Sequence, residues 1–79
     1  MDVEKQVIEL ISGFNGRLPN EYVQDYISLA EHNECAVALE NLCAQLCEYD
    51  IIPTEEELKA IQYLSRFMNL EETTWSFLR

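Results

Sequence analysis

Apolar residues recur at spacings of three and four along nearly the whole chain, and nowhere do they alternate with polar ones for more than a few residues. That period belongs to one face of an α-helix, so it argues against a sheet before any other property is weighed. Val3, Val7, Leu10, Ile11 and Phe14 form the first stripe, with Asp2 placed as its N-cap and Gly13 and Gly16 ending it.

Pro19 suits the first turn of a second helix, where its missing N–H would have had no partner in any case. Glu21 falls near the positive end of that helix. Tyr22, Val23, Tyr26, Ile27, Leu29 and Ala30 continue the stripe to a stop near His32 or Asn33. Asn33 reads as the cap of a third helix that ends near Asp50. On it Leu39, Leu42, Cys43 and Leu46 share one side, and Glu34, Asn41, Gln45 and Glu48 fall largely on another. Thr54 and Glu57 have the spacing of a capping box, which opens a fourth helix with Leu58, Ile61, Leu64 and Met68 as its stripe and Phe67 beside it. "EETTWSFLR" reads as a last short helix whose Trp75 and Leu78 close one end of the core.

No repeat or linker divides the 79 residues, which suffice for one modest core without a metal or disulfide staple. Nearly half the residues (48%) are apolar and only two are glycine and two proline, so folding is the expectation. The expected fold is all-α: a single domain over residues 1–79, built as a small bundle of four to five short amphipathic helices.

Fifteen acidic side chains against five basic ones give a formal charge of -10. Lys5, Arg17, Lys59, Arg66 and Arg79 are scattered and make no basic stripe, so direct binding of nucleic acid or of an anionic membrane is not expected. Such a field steers a chain toward a basic partner, or simply keeps it soluble. No apolar run approaches the roughly 20 residues that span a bilayer. "MDVEKQVIEL" lacks the basic start and apolar core of a signal peptide, so the chain is expected to stay in the cytoplasm. Cys35, Cys43 and Cys47 are an odd number and are expected as reduced thiols.

His32, Cys35, Cys43 and Cys47 are the residue types of a tetrahedral zinc site. Their spacing argues against one, since three would lie along a single helix and only Cys43 and Cys47 share a face within one turn. Cys43 is better read as a small apolar side chain of the core stripe, with the others partly buried. His32 alone would have to activate any cysteine nucleophile, and paired carboxylates mean little in so acidic a chain. No phosphate loop or catalytic motif is present. Neither enzyme activity nor any metal or other cofactor is expected.

The surface remains. Glu21, Gln24, Asp25 and Glu31 on the second helix, and Glu34, Gln45, Glu48, Tyr49 and Asp50 on the third and its exit, present carboxylates with interleaved tyrosines. Aromatic anchors ringed by complementary charge are what binding hot spots use.

The order of these features carries a resemblance. "FNGRLP" after the first helix, the central "ALENLCAQLCEYDI", the "EEELKAIQYLSRFMNL" that follows, and a terminal tryptophan with "FL" resemble the MafI family of bacterial immunity proteins, from about residue 7 to residue 78. Cys47 departs from the usual pattern, and "HNE" stands where a glycine would precede the glutamate. The resemblance implies a bacterial cytoplasmic protein that neutralises the C-terminal domain of a secreted polymorphic toxin, as in contact-dependent growth inhibition. In such systems that domain is often a nuclease, including ribonucleases similar to EndoU. It also implies that Gly16, Leu39, Leu42 and Leu46 serve the fold. Toxin binding then falls to exposed side chains, for which Glu21, Asp25, Glu48, Tyr49 and Asp50 are chosen, followed by Glu31 and Glu34.

A basic nuclease groove must attract phosphate, so an acidic helical protein can cover that active site, or a surface adjacent to it, without turnover. The alternatives are an acidic regulatory or nucleic-acid-mimic protein for another basic partner, and a subunit that buries its aromatic residues in a homodimer.

Overall fold

The computed structural model describes residues 2–78, in which four α-helices follow one another as α1 (Val3–Ser12), α2 (Asn20–Glu31), α3 (Cys35–Glu48) and α4 (Glu55–Phe67). Among the described residues the only extended pairing is one isolated bridge between Asn15 and Leu18. The expected all-α bundle is therefore the observed one.

Each helix begins and ends for local reasons. The Asp2 side chain accepts the Lys5 N–H at 3.1 Å and caps α1. Thr54 and Glu57 form the expected capping box on α4, the Thr54 Oγ1 accepting the Glu57 N–H at 3.1 Å and the Glu57 carboxylate accepting the Thr54 N–H at 2.9 Å. Pro19 stands one position earlier than expected, as the N-cap of α2.

Asn33 corrects the sequence reading. It does not cap α3, whose N-cap is Glu34 without a side-chain bond. Instead Asn33 adopts a left-handed φ of 65° and closes α2, its N–H bonding the Ala30 carbonyl while Glu34 N–H bonds that of Leu29. Asp50 (φ 54°) ends α3 in the same way through Cys47 and Leu46, and Asn69 (φ 59°) ends α4 through Arg66 and Ser65. All three are Schellman closures in which Asn or Asp takes the place usually given to glycine.

The expected fifth helix is two 3₁₀ turns, Glu72–Thr74 and Ser76–Leu78, and its final Arg79 lies outside the described residues. The expected role survives the change of geometry, because Trp75 and Leu78 are both buried.

The core joins Val7, Leu10, Ile11 and Phe14 of α1 and its exit to Val23, Tyr26 and Ala30 of α2. Leu39, Leu42, Cys43 and Leu46 of α3 complete it, with Ile61 and Leu64 of α4. Of the expected stripe residues, Val3, Tyr22, Ile27, Leu29, Leu58 and Met68 are only half-buried, and Phe67 is 55% exposed. Gly16 takes a φ of 88°, a conformation costly for any side chain, so its expected service to the fold has a backbone cause.

Candidate partner-binding surface

Helices α2 and α3 are joined by three residues and pack as an antiparallel hairpin. Tyr22, in the first turn of α2, meets Tyr49 just past the end of α3, with ring centroids 6.0 Å apart. Tyr22 also stacks on Tyr26 one turn along at 6.2 Å, so three tyrosines run together across the open end of the hairpin. Tyr26 is buried, Tyr22 half-buried and Tyr49 46% exposed. Tyr49 thus forms the accessible edge of an aromatic cluster anchored in the core.

Carboxylates surround this cluster. The Tyr49 phenol is raised above its ordinary pKa by its hydrogen bond with Tyr22, then by desolvation and by the charges of Tyr22, Glu48 and Glu21. Tyr26 is raised by burial first, then by Tyr22, Asp25 and Tyr49. Glu21, Asp25 and Glu48 are therefore close enough to act on the tyrosines, and all three are exposed.

Further along the hairpin, Asp25 and Glu34 line one open groove of about 710 Å³ with Tyr26, Leu29, His32 and Asn41. His32 Nδ1 donates to the Ser28 carbonyl at 2.7 Å and so is turned back on its own helix.

The expected set is thus divided. Glu21, Asp25, Glu34, Glu48 and Tyr49 belong to one continuous face. Asp50 lies instead on a smaller groove of about 240 Å³ with Cys47, Ile52 and Phe77. Glu31 is exposed but lines neither groove.

Tyr22 and Tyr26, stripe residues of the second helix, stand side by side as their spacing of four requires. A second signal was open to reading. Residues 20–50 carry seven carboxylates and no lysine or arginine. Nothing within the hairpin neutralises them, and the negative end of α3 has no basic residue in its last turn.

The thiols do not form a site. Cys43 is fully buried, and desolvation, followed by the charge of Glu40, pushes its thiol up to about 12. Cys35 is half-buried and its Sγ donates to the Ala30 carbonyl at 3.7 Å. Cys47 is exposed, not partly buried as its position beside the stripe suggested. Among the described residues no three His, Cys, Asp or Glu side chains are grouped to hold a metal ion. No helix there is long and apolar enough to cross a membrane.

No family model, curated protein or solved structure matches the chain.

Proposed function

We propose that this chain is an immunity protein that binds and neutralises the C-terminal domain of a secreted bacterial toxin, a basic nuclease, without itself catalysing a reaction. The reading rests on the resemblance of its motifs to the MafI family. It is supported above all by one observation: a hairpin without lysine or arginine, one face of which carries Glu21, Asp25, Glu34 and Glu48 beside an exposed tyrosine edge.

A nuclease gathers cationic side chains where it holds phosphate. Glu21, Asp25, Glu34 and Glu48 offer those side chains carboxylates in place of phosphates, and the field they make accelerates encounter. Tyr49 supplies what charge alone lacks, a rigid aromatic surface that a guanidinium can stack on or an apolar side chain can cover. Exclusion of substrate then follows from occupancy, in the producing cell's cytoplasm.

The test is co-expression with the toxin domain encoded beside this gene. Restored growth and a co-purifying complex are the expected results. If the toxin kills equally with and without this chain, and no complex forms, the reading is wrong.

A further inference from the structure

The outer face of α4 differs in charge from the acidic hairpin. From Leu58 to Leu70 there is no acidic residue, and Lys59 and Arg66 stand there with two large exposed aromatics, Tyr63 (54%) and Phe67 (55%). At 3.6 residues per turn, Glu56, Lys59, Tyr63, Arg66 and Phe67 fall within an arc of roughly 100°, directed away from the buried Ile61, Leu64 and Ser65.

Along that arc the charge is ordered, negative in the first turn at Glu56 and positive beyond at Lys59 and Arg66. Such a face is complementary to itself when reversed.

We infer that this face is where a second copy of the chain docks, two α4 helices packing antiparallel about a two-fold axis level with Ile61. At about 1.5 Å rise per residue, that axis brings Arg66 of each copy level with Glu56 of the other. Lys59 of each then lies level with the other's Tyr63, where an ammonium over an aromatic face is favoured. The contact is isologous, so it closes at two copies.

Charge selects this occupant over a basic protein. A basic partner meets Lys59 and Arg66 here and is repelled, whereas the carboxylates of the hairpin attract it. The chain's net charge of -10 opposes contact between copies in general, whereas here each carboxylate of the face meets a base of the other copy. One helix face is a small interface, so the dimer is weak and depends on concentration. It shares no residue with the hairpin face and does not depend on the proposed function.

Mass in solution, measured by sedimentation of the full chain across about three decades of concentration up to about 1 mM, tests the inference. The mass is expected to rise from 9.2 kDa toward twice that value. Phe67→Glu and Arg66→Glu are each expected to weaken the dimer at least about tenfold, with helical circular dichroism unchanged because both side chains are exposed. Glu56→Arg combined with Arg66→Glu is expected to restore most of the association. A monomer at every concentration overturns the inference, as does a dimer indifferent to both single changes. A charge swap that restores nothing overturns the antiparallel pairing.

Discussion

Arg17 and Glu57, forty positions apart, are joined by two hydrogen bonds, Nη1 to Oε1 at 3.0 Å and Nη2 to Oε2 at 2.5 Å. The guanidinium also donates to the Gly13 carbonyl at 2.6 Å and lies 4.3 Å from the centre of the Phe14 ring. Glu57 in turn belongs to the capping box of α4. One fork therefore ties the α1–α2 loop to the start of the last long helix. Loss of Glu57 removes a cap and an ion pair together.

Glu57→Gln is expected to lower unfolding free energy by about 1–2 kcal/mol, the sum of a weakened cap and a partly exposed ion pair. The hydrogen bond from Arg17, above all, lowers the Glu57 pKa below its ordinary 4.5, outweighing desolvation. A carboxyl depressed in the folded state binds fewer protons there than in the unfolded chain. Its stabilisation is therefore complete above about pH 5 and fades as pH falls through the folded value. Urea denaturation from pH 3 to 7 should show the difference between wild type and Glu57→Gln shrinking toward the acid end. A difference constant with pH would remove the ion pair from this account.

Asp50 occupies a left-handed position and adds negative charge at the end of α3. Both cost stability, so Asp50→Gly is expected to raise the unfolding free energy by about 1 kcal/mol. Asp50→Asn, which keeps a side chain tolerant of that backbone and removes the charge, should capture part of the gain. A thermal melt of both variants separates the backbone cost from the electrostatic one.

Ser65 is fully buried in α4, and among the described residues its hydroxyl has no hydrogen-bond partner. An unpaired buried hydroxyl costs about 1–3 kcal/mol, so Ser65→Ala should be neutral or stabilising despite removing atoms from the core. Destabilisation by more than about 1 kcal/mol in chemical denaturation would mean that packing around the oxygen outweighs its desolvation.

Thiol labelling should resolve three rates. Cys47 is exposed and should react first, Cys35 is half-buried and slower, and Cys43 should react only when the chain unfolds, since burial opposes its thiolate. Mass spectrometry of a timed reaction with and without denaturant reads this order directly.

Binding to a basic toxin domain should depend more on Glu21 and Glu48 than on Asp50, since the first two flank Tyr49 and the third faces a different groove. Reversal of Glu21 and Glu48 together to lysine is expected to slow association at least about tenfold at low salt, against a smaller effect of Asp50→Lys. Equal losses in stopped-flow measurements would return Asp50 to the interface.

The helical pattern was legible because each α-helix carries its own stripe and two carry their own caps, Asp2 and Thr54 with Glu57. Asn33 is ambiguous in the sequence because a short polar residue between two helices serves equally well to start one or to end the other. The sign of φ decides, and φ is a property of the folded backbone. Phe67 and Cys47 lie at the margins of their stripes, where a few tens of degrees of helix rotation separate core from solvent, and packing turned both outward.

The sequence by itself determined the class of fold, the acidic surface and the absence of basic residues from the central hairpin, since these follow from period and composition. Only the tertiary structure decided which carboxylates act together. Glu21 and Glu48 are 27 positions apart and meet beside Tyr49 because α2 and α3 run antiparallel, while Asp50, two residues beyond Glu48, is carried to another groove by the left-handed turn that ends the helix. Neighbours on a surface are set by where chains fold back, and that geometry is written in contacts between stripes, not in any one of them.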